Sequence, residues 1–188
     1  MGNQNNSMAG ITSPSSTNTL RKGVTTGAVP PMPGSGTEFT TAEYQAVVTG
    51  DDGSYVTQGT SSSGYRPYFL CSFLLYDWMN DGSLAINDGL RAYGRTGSGI
   101  AGWSYHCHYY IWNPGAVVWD LVTEHSDTTF QNMFAWYLWN TAPQFVDSDR
   151  RIHTAVFNPN AASPQQNAVL YLDWAICTMA WPEAMLID

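Results

Sequence analysis

By residue type and spacing, His106 and His108 are the side chains in this chain best placed to do chemistry. In an extended segment, residues i and i+2 project from one face, so the two imidazoles stand side by side. Two nitrogens on one face can hold Zn²⁺ or Cu²⁺ when a third ligand arrives from elsewhere. His125, Glu124 and His153 are the candidates for that position. Two ligands without a recognisable third fall short of a metal site. The plainer expectation is a pair of hydrogen-bonded histidines packed beside Tyr110 and Trp112, with no metal or other cofactor. Cys107 points to the opposite face and cannot join them.

Paired carboxylates are the other route to chemistry, since two of them flanking a glycosidic bond can hydrolyse it. Asp77, Asp120, Glu124 and Asp173 lie in or beside apolar runs. Asp173 stands out because it sits between Leu172 and Trp174, with Tyr171 and Ala175 expected on its own face. A carboxylate buried there requires a cation, and Arg66 and Arg151 are the expected partners. That arrangement describes a structural ion pair better than a catalytic acid. The chain has no Gly-x-Ser-x-Gly nucleophile elbow. The glycine-rich residues 94–99 carry neither a phosphate-loop lysine nor dinucleotide spacing, and read as a plain loop. Catalysis is therefore not the expected role.

The third kind of functional residue is aromatic. The 188 residues include 8 Trp, 11 Tyr and 7 Phe, more than one core of this size needs to absorb. Exposed aromatics mark interfaces or sugar-stacking platforms. Trp103, Trp112, Trp119 and Trp139 are the expected contact aromatics. Charged residues make up only 12% of the chain, about half the usual ~25%. A surface that neutral suits assembly with other proteins or binding of something uncharged. The net charge is −8, and the seven basic residues form no cluster beyond the pairs Arg21–Lys22 and Arg150–Arg151. Neutralising a phosphate backbone takes clustered cations, so direct nucleic-acid binding is expected to be weak or absent. Cys71, Cys107 and Cys177 are odd in number and each lies in an apolar stretch, as buried free thiols do. No apolar run reaches the ~18 residues of a membrane span, and residues 1–36 contain no signal-peptide core.

The elements that must carry these residues are mostly strands. Residues 1–36 are rich in Asn, Ser, Thr and Gly, lack hydrophobic periodicity, and end in the Pro30, Pro31 and Pro33 stretch. They read as a flexible polar arm with an extended spacer, ahead of a domain spanning residues 37–188. Within that domain, residues 42–49 and 54–58 read as a hairpin around Asp51-Asp52-Gly53. Residues 67–78 read as a strand buried on both faces. Asp88-Gly89 signals a turn between short strands at 84–86 and 90–93. Residues 103–112 alternate cleanly, with Trp103, Cys107, Tyr109 and Ile111 on one face and His106, His108, Tyr110 and Trp112 on the other. Asn113-Pro114-Gly115 turns that strand back into 116–123. Residues 127–139 fit a helix or a strand, and the β surroundings favour a strand. Strands at 151–157 and 168–181 flank a Pro/Asn/Gln loop at 158–167. About eight strands at hairpin spacing predict an all-β, antiparallel β-sandwich or jelly roll.

This outline of polar arm, proline hinge and compact β domain resembles the small jelly-roll coat proteins of viruses. The resemblance is architectural and covers the whole chain without a motif. It implies a structural virion protein that assembles with copies of itself and with other capsid proteins, found in the virion or the host cytoplasm. With only Arg21 and Lys22 as cations, the arm would contact neighbouring subunits rather than genome. The aromatic and neutral composition also allows a carbohydrate-binding sandwich, lectin-like or a virion spike with a glycan receptor. His106, His108 and a carboxylate allow a small metal-dependent β-barrel enzyme.

Overall fold

The computed structural model describes residues 4–7, 18–47, 53–74, 85–98, 102–129, 131–137 and 142–180. They form two six-stranded antiparallel sheets, an all-β sandwich with one short α-helix among the described residues. The strands are β1 (Gln4–Ser7), β2 (Asn18–Thr25), β3 (Thr37–Glu38), β4 (Val56–Thr60), β5 (Arg66–Leu74), β6 (Ala85–Ser98), β7 (Gly102–Tyr105), β8 (Cys107–Asn113), β9 (Val118–His125), β10 (Gln131–Tyr137), β11 (Arg151–Phe157) and β12 (Asn167–Ala180). The first sheet runs β1-β12-β6-β10, with β4 also on β12 and β7 also on β6. The second runs β3-β2-β5-β11-β8-β9. Among the described residues no helix is long and apolar enough to cross a membrane.

The main core lies between the sheets. Phe69, Cys71 and Phe73 of β5, Tyr109 and Ile111 of β8, and Ile152 and Val156 of β11 meet Ala92, Leu170 and Leu172 from the first sheet. Alternate residues of the second sheet point outward, yet Tyr68, Leu70, Tyr110, Ala155 and Phe157 are buried there too, as a second cluster with Trp119 against it. That explains the near-continuous apolar reading of β5, which is buried on both faces as expected. Strands β8, β9, β11 and β12 fall where they were expected, and β10 takes the strand that the β surroundings favoured within 127–139.

Four expectations change. Residues 42–49 were expected as a strand, but Thr41–Ala46 is a helix, α1. Thr40 and Glu43 close a reciprocal capping box: Glu43 N–H donates to Thr40 Oγ1 and Thr40 N–H to Glu43 Oε2. That local pair satisfies helix-end donors and favours the helix over the expected strand. Tyr44, fully buried, then accepts from the Leu20 N–H at 2.9 Å and ties α1 to β2. Second, Asp88-Gly89 does not turn. β6 runs straight through it, with Gly89 opposite Ile176 of β12 and Phe134 of β10. A strand with partners on both edges satisfies more backbone groups by continuing than by reversing. The same strand takes in residues 94–98 of the stretch read as a loop.

Third, the polar stretch before Gly36 is folded from Asn18 onward. β2 lies between β5 and β3, in register from Asn18 opposite Phe73 to Thr25 opposite Arg66. Its one strongly apolar anchor, Leu20, is fully buried. Strand pairing to a preformed neighbour, not hydrophobic periodicity, orders this segment, so its composition gave no sign of it. β1 likewise pairs with β12.

The long strand expected at 103–112 is divided by a corner. β7 pairs with β6 in the first sheet, while β8 pairs with β11 in the second. The chain crosses at His106, whose N–H donates to Gly94 O at 2.9 Å. A Cβ on Gly94 would collide with the His106 carbonyl, so the crossing needs glycine there. The corner also separates faces expected to be one: Tyr109 and Ile111 enter the core, whereas Trp103 stands over the outer side of the first sheet beside Arg95.

Candidate functional site

A cleft of about 470 Å³ opens where β7, the end of β6, the start of β5 and the loop after β11 meet. Arg66, Thr96, Trp103, Ser104, Asn160 and Gln166 line it, with Gly102, Pro159 and Ala161. The Arg95 guanidinium lies 4.1 Å above the Trp103 ring and 5.4 Å from Tyr171. Such a contact is worth about 0.5–2 kcal/mol and holds the indole in one orientation. Tyr171 in turn stacks on Tyr93 at 4.3 Å and 7°, and Tyr55 meets it edge-on. Trp103 is therefore the end of an aromatic row across the first sheet.

The opposite wall is the 158–167 loop, which the sequence shows only as a loop. Asn158, fully buried, fixes it. Its Nδ2 donates to Arg95 O at 3.1 Å and Val169 O at 3.2 Å, and its Oδ1 accepts from the Asn160 N–H at 3.0 Å. Arg66, expected near Asp173, instead donates from Nε to Pro159 O at 2.7 Å and from Nη1 to Thr26 O at 3.2 Å. Ala162 donates to Tyr65 O and accepts from the Gly64 N–H. Asp173, 3% exposed, finds its cation in Arg91 at 3.3 Å. A bulge between Leu172 and Trp174 shifts the faces, so that Ala175 belongs to the core and not beside Tyr171.

The histidines expected as metal ligands lie elsewhere. His106 and His108 line a pocket of about 330 Å³ with Glu124, His125 and Ser126. The third candidate, His153, is not part of it. His106 Nε2 is 2.9 Å from Ser104 Oγ, and His108 Nε2 is 3.4 Å from Glu124. Burial holds His108 below the ordinary histidine value, against the pull of Glu124. Among the described residues, no three His, Cys, Asp or Glu side chains are arranged to hold a metal ion.

His153 has a different setting. Its Nδ1 is 2.7 Å from Ser72 Oγ and its Nε2 is 2.7 Å from Asp147. Serine, histidine and carboxylate in a chain have the composition of a nucleophilic triad. Ser72 and His153 are each 7% exposed, however, and sit directly opposite one another in paired strands. Asp147 also accepts the N–H groups of Asp149 and Arg151 through Oδ1, so it closes a turn. The network fastens that turn to the sheet, and burial keeps His153 below its ordinary value despite Asp147.

Of the residues expected to make assembly contacts, Trp112, Trp119 and the proline stretch lie together at the β8–β9 hairpin, while Trp103 lies at the cleft. Trp119 donates from Nε1 to Pro31 O at 2.9 Å, which holds the proline stretch against the β8–β9 hairpin. Trp112 meets Trp119 edge-on at 5.2 Å. Pro30 is buried and Pro33 half-buried to exposed along the same strap. Within two residues of the Trp119–Pro31 bond lie Val29 (49% exposed), Met32 (55%), Val117 (59%), Val118 (45%) and Leu121 (50%). Among the described residues no strand pairs with the free edge of β9. Val117 has a left-handed backbone, φ 56°, which a β-branched residue adopts only under strain. Arg21 and Lys22 are engaged locally, with Glu38 at 3.9 Å and with Glu43. Trp139 lies outside the described residues. Cys71 and Cys107 are buried free thiols, and burial pushes the Cys107 thiol well up.

No protein-family model matches the chain, and no curated protein matches it. Among solved structures it is similar to the enzymatically active domain of tailspike protein 4 from bacteriophage CBA120, with a TM-score of 0.38 and 10% identity. That likeness covers 88% of this chain and spans 20% of the tailspike chain. At that level it carries neither fold nor activity across.

Proposed function

We propose that this chain is a structural protein, rather than an enzyme, whose copies associate through the β8–β9 hairpin and its proline strap, as a coat or surface protein of a virion does. The observation that carries this reading is the five half-exposed apolar side chains on the strip of β9 and proline residues around the Trp119–Pro31 bond, next to an edge of β9 that no described strand pairs. Exposed, apolar strand edges are surfaces that proteins otherwise blunt with charge or proline. Here β9 carries two acidic residues, Asp120 and Glu124, in a chain that is only 12% charged. Strain at Val117 keeps an apolar side chain at the hairpin tip where Asn or Gly would fit more easily.

The magnitudes favour many weak contacts. Burying a half-exposed Val, Leu or Met gains about 1 kcal/mol, so the strip offers about 5 kcal/mol in all. Association costs about 4–15 kcal/mol. One such contact gives a weak dimer, whereas a closed ring or shell, in which each copy makes several, is stable. Sedimentation velocity over a wide concentration range tests this. The wild type should show concentration-dependent association, and Leu121→Lys should remain monomeric while folding normally. A wild type that stays monomeric throughout, or a Leu121→Lys variant that associates equally well, contradicts the proposal.

A further inference from the structure

The cleft beside Trp103 shares no lining residue with the β9 edge, and its chemistry suits a different ligand. The groups lining it divide into those that build it and those left over. The Asn158 amide, the Arg66 Nε and Nη1 donors and the Ala162 backbone hold the walls in place. Among the described residues, the side-chain amides of Asn160 and Gln166 and the Arg66 Nη2 make no hydrogen bond and remain for a ligand. Trp103, whose ring is held by Arg95, is also among the lining residues. Among the described residues, no carboxylate lines it.

We infer that this cleft binds a pyranose residue of an uncharged oligosaccharide. A sugar ring has an apolar face of C–H groups that packs on an indole and a rim of hydroxyls that each donate and accept. Carboxamides match that rim because each offers both a donor and an acceptor. The chain's net charge of −8 repels polyanions, and the one cation in the wall spends its Nε and Nη1 on backbone carbonyls. A volume of about 470 Å³ accommodates one to two sugar residues. Because the walls are already hydrogen-bonded, the ligand loses little affinity to ordering the site.

The test uses the full chain on an array of neutral oligosaccharides (gluco-, manno- and N-acetylglucosamine tetramers) beside sulfated ones. The best binder is then titrated by NMR against the wild type, Trp103→Ala and Gln166→Ala. The expected result is binding to a neutral oligosaccharide that Trp103→Ala weakens by about tenfold or more, the loss of one aromatic contact. Gln166→Ala, which removes a partly exposed side chain without disturbing the walls, should weaken it several-fold. Thermal melts establish that both variants fold. The inference is overturned if no neutral oligosaccharide binds at millimolar concentration, if both variants bind as the wild type does, or if only sulfated chains bind and salt abolishes it.

Discussion

Replacing Asn158 probes the joint between the sheets. This residue closes β11 in the second sheet, yet its amide reaches Arg95 of β6 and Val169 of β12 in the first. Both of those acceptors are carbonyl oxygens, so the nitrogen must face them, and the Asn160 N–H fixes the oxygen on the other side. A further bond runs from Nδ2 to Thr96 Oγ1 at 3.2 Å. The amide nitrogen has two hydrogens, so its three contacts amount to two full donations, and with the accepted Asn160 N–H there are three buried bonds. Each contributes about 0.5–1.5 kcal/mol net, so Asn158→Ala should destabilise the fold by about 3 kcal/mol. For a chain of this size that lowers Tm by about 6–12 °C. Asn158→Asp should be no better at neutral pH, because it aims a carboxylate oxygen at two carbonyls. Its folded-state pKa is raised, so its deficit relative to wild type should shrink as the pH falls and the carboxyl regains a proton to donate. Urea and thermal melts at pH 5 and pH 8 measure both variants. A loss below about 1 kcal/mol for Asn158→Ala, or an Asn158→Asp variant as stable as wild type at pH 8, would refute the assignment of this side chain as the joint.

Gly94→Ala should cost about 3 kcal/mol or prevent folding, because the new methyl meets the His106 carbonyl at the corner between β7 and β8, and a chemical melt reads this directly. Val117→Asn should raise stability by about 1 kcal/mol by relieving the left-handed strain, while weakening self-association, so a melt and a sedimentation run should move in opposite senses. His153 is held below its ordinary pKa, chiefly by burial. Its unfolded form therefore takes up a proton first as pH falls through about 6.5, and stability present above that pH is lost below it. Burial depresses His108 in the same direction. Tm should fall between pH 7.5 and 5.5, and His153→Gln should flatten part of that slope.

Much of the fold was legible because alternation is a direct record of a half-buried sheet. β8, β9, β11 and β12 were readable in that way, and so was the doubly buried β5. The errors share a cause, which is that decisive interactions were not periodic. The Thr40–Glu43 capping pair that makes residues 41–46 a helix is a local contact with no periodicity, so reading alternation alone gives a strand there. Asp88-Gly89 is a strong turn signal only when nothing pairs with both edges of the strand. β2 carries too few apolar residues to announce itself and is ordered by β5. At the sites, Trp103 was singled out for its type, whereas Asn160 and Gln166 come from the 158–167 loop and Arg66 from the start of β5, which only the packed structure joins. His106 and His108 do meet Glu124 and His125, as their spacing allowed, but in a pocket and not around a common point.

The proposal of assembly through the β9 edge is tested most directly by light scattering with negative-stain microscopy. The full chain and its Val118→Glu/Leu121→Lys double variant would be imaged side by side at matched high concentration. The account predicts closed rings or shells for the full chain, and folded monomers for the variant. Monomers in both samples, or identical particles in both, would contradict it.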